Sequence, residues 1–238
     1  MQSNPEKVWC VVPAAGIGTR MQSSVPKQYL KLGRYSILDT TLERLLSCDA
    51  IDNIVVCIQQ GDSYWKESLF ATHPQITVAI GGKDRSDSVL NGVQAIKLQA
   101  SSNDWVLVHD AARPCVRRSD IDLLTSAALA NQLGAILASP IHDTIKKVSN
   151  SLSEETLDRS TLWRALTPQL FKLNELEQAL ISAKQENKVV TDEASAIEQF
   201  NKPVQIIKGH SDNIKVTSPA DLNLAMYYLE QQDKEQCV

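Results

Sequence analysis

No stretch of the 238-residue chain approaches the roughly 18 consecutive apolar residues of a membrane span. Its first ten residues, MQSNPEKVWC, show no basic segment leading into an apolar one. The expectation is a cytoplasmic protein with no membrane partner. Cysteine is sparse: Cys10, Cys48, Cys57, Cys115 and Cys237 are an odd, scattered set without a CxxC pair, which argues against a disulfide framework or a zinc site. A basic excess is missing too. With a net charge of −4 the chain offers no long-range field for nucleic acid, so any phosphate has to be met by local cations. Repeats at solenoid or propeller periods and low-complexity tracts are also absent. One compact unit over residues 1–238 is the reading these absences leave.

The chain does contain short β-branched runs alternating with segments of helical period. In order these are WCVVPAA, ILDTTLERLLS, NIVVCIQ, SYWKESLF, ITVAIGG, SVLNGVQAIKL, WVLVHDAA, IDLLTSAALA and GAILASPI. Runs that are apolar at nearly every position suit strands buried on both faces, so the order predicts βαβ units in an α/β fold with a doubly wound, mostly parallel sheet. The pattern breaks over residues 141–166, where a polar alternating piece, a Ser-rich turn and a second strand-like piece predict a protruding β-hairpin arm. An isolated two-stranded hairpin is marginal in water, which makes a second subunit the economical partner for it. Beyond the arm the sequence predicts helices near 173–186 and 192–200, a strand at VQIIKG and a short strand at NIKV. A C-terminal helix follows, opened by Ser218 and Pro219.

The first βα connection is the most informative segment. Pro13, Ala14, Ala15, Gly16, Ile17, Gly18, Thr19, Arg20 and Met21 are followed by Pro26, Lys27 and Gln28. Small residues at a strand end let consecutive N–H groups close around an anion, and Arg20 and Lys27 add fixed positive charge. The segment lacks the third glycine of GxGxxG and the GK[ST] of a P-loop. The glycines alone would serve equally well in a tight turn. Asp110 follows the buried run WVLVH, at the sheet edge where doubly wound folds bind ligands. It suits either a Mg²⁺ ion or a ribose hydroxyl, and equally a helix cap or turn. His109 reads as structural. Lys215 is a cation among the apolar residues of NIKV, a setting that asks for a partner.

Together VPAAGIGTRM, PKQYL, GGKDRSDSVLNG, VHDAARP, LTPQLF, TDEASAIE and NIKVTSPADL resemble the 2-C-methyl-D-erythritol 4-phosphate cytidylyltransferase family almost end to end. The resemblance implies a Rossmann-like nucleotidyltransferase fold and transfer of CMP from CTP to methylerythritol phosphate in isoprenoid precursor synthesis. It also implies a divalent cation, Mg²⁺, held mainly by the nucleotide phosphates and tentatively by Asp110, and a homodimer joined through the arm. It assigns Arg20, Lys27 and Lys215 to catalysis. Nucleotide binding falls to Pro13, Ala14, Ala15, Gly16, Gly18, Thr19, Gly82, Lys83, Ser88, Asp110 and Ala111. The polyol phosphate falls to Arg113, Thr144, Arg159 and Thr191, with Thr144 and Arg159 supplied by the neighbouring subunit. Lys83 stands where the family often has an acidic residue, so the contact expected there is through the backbone. Ser88, Gly81 and Gly82 also suit a plain helix cap and turn. Two rivals share much of this pattern, a ribitol 5-phosphate cytidylyltransferase and a nucleotidyltransferase acting on hexose phosphates with UTP or GTP. A binding protein of the same fold without turnover is a third.

Overall fold

The computed structural model describes residues 6–16, 18, 21 and 23–236. Their elements are β1 (Val8–Pro13), β2 (Lys31–Leu32), β3 (Tyr35–Ser36), α1 (Ile37–Leu46), β4 (Asn53–Ile58), β5 (Ile76–Ile80), α2 (Arg85–Lys97), β6 (Trp105–Val108) and α3 (Arg118–Asn131). Then follow β7 (Ala135–Pro140), β8 (Ile145–Ser149), β9 (Leu152–Leu157), β10 (Trp163–Lys172), α4 (Leu173–Gln185), α5 (Glu193–Gln199), β11 (Gln205–Lys208) and α6 (Pro219–Gln236).

Among the described residues seven strands form the main sheet in the order β11-β7-β10-β6-β1-β4-β5. Every pairing is parallel except the two made by β10. In β1 alternate side chains go to opposite faces. Val8, Cys10 and Val12 share a core with Leu38, Leu42 and Leu45 of α1 and Ile121 and Leu124 of α3. Trp9 and Val11 share another with Val89, Val93 and Ile96 of α2 and Leu176 and Leu180 of α4. Each fully buried aliphatic side chain contributes about 1.5–3 kcal/mol, so β1 is fixed from both sides and its C-terminal end, where the glycine loop leaves, is held rigidly. The sheet is the doubly wound one that the sequence predicts.

Several elements differ from the sequence reading. SYWKESLF forms only a 3₁₀ turn at Trp65–Glu67, because Asp62 Oδ1 accepts from the Tyr64 and Trp65 N–H groups and fixes a turn instead of a helix. NIKV forms no strand; Val216 donates to the Ala112 carbonyl at 2.8 Å and the segment lies beside the loop after β6. The hairpin itself is β8 paired with β9. Residues 163–166, expected in the arm, belong to β10, which passes between β7 and β6 in the main sheet. The register of β10 shifts between Ala165 and Gln169, and the Thr167–Pro168 peptide there is cis. At α6 the Asp221 carboxylate accepts from Thr217 N, Thr217 Oγ1 and Ser218 N, all at 2.8 Å, and ties down the first turn.

Candidate active site

The C-terminal ends of β1, β5 and β6 open onto one cleft. It is lined by Pro13, Ala14, Ala15, Gly16, Gly18, Lys27, Gln28, Gly82, Lys83, Asp84, Arg85, Ser88, Asp110, Ala111, Ala112 and Lys215. A second concavity shares Arg85, Asp110 and Lys215 with it and adds Arg113, Thr167, Gln169, Thr191 and Asp192. Within the described set, all the sequence-predicted site residues except Thr144 and Arg159 therefore meet in two adjoining hollows. Arg20 and Thr19 lie outside the described residues. Thr144 and Arg159 sit at the arm, where Arg159 Nη1 donates to the His142 carbonyl.

The glycine loop is shaped by specific approaches. Gly18 takes φ of 70°, a left-handed conformation that favours glycine, and a Cβ there would lie 2.5 Å from Lys27 Cβ. Gln28, buried, donates from Nε2 to the Ala14 carbonyl at 2.6 Å and clamps the Lys27–Tyr29 turn onto the loop. Gly16 is different: a Cβ there would meet no heavy atom of the described residues within 4 Å, so none of them requires a glycine at that point. Across the cleft Gly82 N donates to Ser88 Oγ at 3.0 Å, and the Ser88 hydroxyl donates to the Asp84 carbonyl at 3.1 Å. Ser88 thus organises its own turn. Lys83 is exposed at the rim.

Asp110 is the electrostatic centre. Its Oδ1 accepts from Arg85 Nε at 2.8 Å, and its Oδ2 faces Lys215 Nζ at 2.8 Å and Arg113 Nε at 3.4 Å. Burial alone would push this carboxyl up, but Arg85, Lys215 and Arg113 outweigh it and hold the pKa well below the usual carboxylate range. Lys215 has found the partner its apolar neighbours in sequence called for. Arg85 turns its other edge to Glu193, which is fully buried, with Nη1 at 2.6 Å from Oε1 and Nη2 at 3.0 Å from Oε2. Burial works against the Arg85 charge, and the carboxylates of Glu193 and Asp110 more than restore it.

His109 is structural. Burial lowers its pKa to about 4, so the ring is neutral. Nε2 lies 3.1 Å from the Arg113 carbonyl, which only accepts, so Nε2 carries the proton and Nδ1 accepts from the Thr167 hydroxyl at 3.1 Å. Thr167 Oγ1 in turn accepts from Asp110 N. Asn213 closes this side, its Nδ2 donating to the Thr167 carbonyl and its own carbonyl accepting from Arg113 Nη1, both at 2.8 Å.

Arg85, Glu193, Gln28 and Asn213 are the site residues that sequence reasoning missed. Arg85 and Glu193 stand inside segments already singled out, GGKDRSDS and TDEAS, and the signal was their charge at the first turn of a helix beside a loop. Asn213 carries no comparable signal. Among the described residues the two hollows are lined by five cations, Lys27, Lys83, Arg85, Arg113 and Lys215, and three carboxylates, Asp84, Asp110 and Asp192. A chain of net negative charge has thus gathered a cationic cleft, and among the described residues that line it no serine or cysteine hydrogen-bonds to a carboxylate or an imidazole. Such a site can neutralise and orient phosphates. No group of three or more His, Cys, Asp or Glu suited to a metal occurs among the described residues.

A family model for 2-C-methyl-D-erythritol 4-phosphate cytidylyltransferase matches residues 8–231. The protein of that name from Photobacterium profundum is 48% identical over 235 residues, 97% of this chain and 99% of its own length. One from Vibrio vulnificus is 47% identical over 223 residues, covering 93% of this chain and 94% of its own. Among solved structures, the enzyme of that name from Francisella tularensis superposes with a TM-score of 0.82 at 37% identity, over 94% of this chain and all of that one. A 4-diphosphocytidyl-2C-methyl-D-erythritol synthase does so with a TM-score of 0.83 at 34% identity, over 95% of this chain and all of that one.

Proposed function

Because the chain belongs to the 2-C-methyl-D-erythritol 4-phosphate cytidylyltransferase family, we propose that it transfers CMP from CTP to 2-C-methyl-D-erythritol 4-phosphate. The products are 4-diphosphocytidyl-2-C-methyl-D-erythritol and pyrophosphate, and the reaction serves isoprenoid precursor biosynthesis. The observation that carries this reading is the convergence of the glycine loop, Lys27, Asp110 and Lys215 on one cationic cleft at the carboxyl edge of the sheet.

The acceptor phosphate attacks the α-phosphorus in line while pyrophosphate leaves on the opposite side, so charge grows on the equatorial and leaving oxygens. A phosphate monoester has a second pKa of about 6 and is already largely dianionic at neutral pH. No side chain has to remove a proton, which agrees with a neutral, buried His109. Lys27, with Arg20, is assigned to the triphosphate, a role supported by the Gln28 clamp that seats its turn against Gly18. Lys215 is assigned to the α-phosphate and the incoming phosphate. Its ion pair with Asp110 fixes the ammonium where the two hollows meet. Arg113 and Thr191 are assigned to the acceptor phosphate in the second hollow, and Thr144 and Arg159 to the same phosphate from the partner of a homodimer. Gly82 and Lys83 are assigned to the base through backbone groups, and Ser88 is assigned to the shape of their turn.

The donor set does not fit a resident magnesium ion. No acidic cluster is present among the described residues, and both oxygens of Asp110 already face cations. Magnesium is therefore read as part of the substrate, the Mg–CTP complex, and no step is derived through it. No helix among the described residues is long and apolar enough to cross a membrane. A reducing cytoplasm is proposed on the four cysteines among the described residues, all of them free thiols.

The test is pyrophosphate release by purified protein with Mg²⁺ and each of CTP, UTP, GTP and ATP, offered with methylerythritol 4-phosphate or ribitol 5-phosphate. Release with CTP and methylerythritol phosphate alone is the expected result. Release with ribitol phosphate instead would reassign the acceptor.

A further inference from the structure

We propose that Glu193 is a positioning residue that sets Lys215 through the chain Glu193–Arg85–Asp110–Lys215, so that the acceptor-side turn and the nucleotide-side loop act as one unit. The inference rests on the reading of the cleft as a CMP-transfer site and adds residues to it.

Glu193 opens α5 directly after Thr191 and Asp192, the turn on the acceptor side, and it is fully buried. That turn is held from below: Gln169 Nε2 donates to Asp192 Oδ2 at 2.8 Å and Gln169 Oε1 accepts from Ala194 N at 2.9 Å. Glu193 therefore has a fixed carboxylate. It grips both terminal nitrogens of Arg85, and a planar guanidinium held bidentately at one edge has little freedom at the other. The remaining nitrogen, Nε, donates to Asp110 Oδ1. Engaging one oxygen of Asp110 leaves Oδ2 to face Lys215.

Loss of the Glu193 charge would release this arrangement. The freed terminal nitrogens of Arg85 would turn to the nearest carboxylate, Asp110, and compete with Lys215 for Oδ2. Lys215 would then be displaced while Lys27 and the glycine loop, on the far side of the cleft, keep their contacts. A residue that merely offset the charge of Arg85 would change stability without separating the kinetic constants in this way.

The experiment compares wild type with Glu193→Gln, which keeps the shape of the side chain. It reads kcat, KM for each substrate, CTP binding by calorimetry and thermal unfolding. Wild-type turnover with CTP and methylerythritol phosphate tests the underlying reading separately. For Glu193→Gln the expected result is a fall in kcat of tenfold or more and a KM that rises more for the acceptor than for CTP, which Lys27 and the glycine loop also hold. A folded Glu193→Gln protein with kcat within twofold of wild type would overturn the proposal. Should that variant fail to fold, Arg85→Lys, which keeps the cation but cannot be gripped at two terminal nitrogens, is read under the same criteria. Arg85→Gln and the double variant supply the second arm. Losses that do not add support action through Arg85, and additive losses overturn it.

Discussion

Gly16 and Gly18 are two residues apart and answer to different demands. At Gly18 the protein itself requires glycine, because φ is 70° and Lys27 Cβ is close; Gly18→Ala should cost about 1–2 kcal/mol from the left-handed backbone alone. At Gly16 no atom of the described residues stands in the way of a Cβ. Gly16→Ala should therefore melt like wild type and yet raise KM for CTP by on the order of tenfold, since only a closely approaching phosphate would meet the methyl group. Calorimetry and steady-state kinetics on the two variants separate these roles, and an unchanged KM in Gly16→Ala would remove the phosphate cradle from that position. His109 gives a second prediction. Its folded pKa is about 4 against an ordinary 6.5, so the unfolded chain binds a proton first as pH falls. The stability it contributes is complete above pH 6.5 and is lost as pH falls from there to 4, about 3 kcal/mol in all. Asp110, depressed below 3.8, adds a further loss only at lower pH. Urea unfolding at about pH 7.5, 6 and 4.5 should show the first loss, and His109→Gln should flatten it.

At the scale of elements, how well the sequence could be read depended on whether a segment's fate was set by its own pattern. Strands β1, β4, β6 and β7 are apolar at nearly every position because both faces are covered, and α1 and α3 have the matching period; all were legible. SYWKESLF was misread because a single acceptor, Asp62 Oδ1, decides the backbone there, and periodicity does not register one side chain. NIKV was misread because apolar residues around a lysine look like a strand, whereas its place is set by Ala112 and by the ion pair to Asp110. The hairpin was legible, but its end was not: the apolar run ALTPQLF is a strand of the main sheet, and only tertiary pairing reveals where the arm stops. The hairpin leaves Val148 58% and Leu152 72% exposed near its tip, an apolar tip that suits burial against a second copy. On the homodimer proposed above, replacing residues 145–157 by a short turn should leave a monomer in sedimentation analysis and raise KM for the acceptor, with CTP binding retained. A deletion variant that stays dimeric would place the interface elsewhere.

For the whole molecule, fold class and the cleft at the end of β1 could be read from sequence because they depend on segments close to one another, strand then loop then helix. The charge network could not, since Arg85, Asp110, Glu193 and Lys215 come from four separated segments and meet only when the sheet is complete. The local excess of cations inside a chain of net charge −4 is likewise a property of the folded form alone. Strand β10 carries a consequence for the order in which the chain is made. Among the described residues it is the sole link between β6 and β7 in the sheet order, and it is synthesised after both. Until Trp163–Lys172 has left the ribosome, two apolar strand edges face each other across an unfilled slot, each a template for pairing with another chain. The tract that follows the hairpin therefore closes the slot between two strands made before it, and a nascent chain halted short of it should be a client for chaperones.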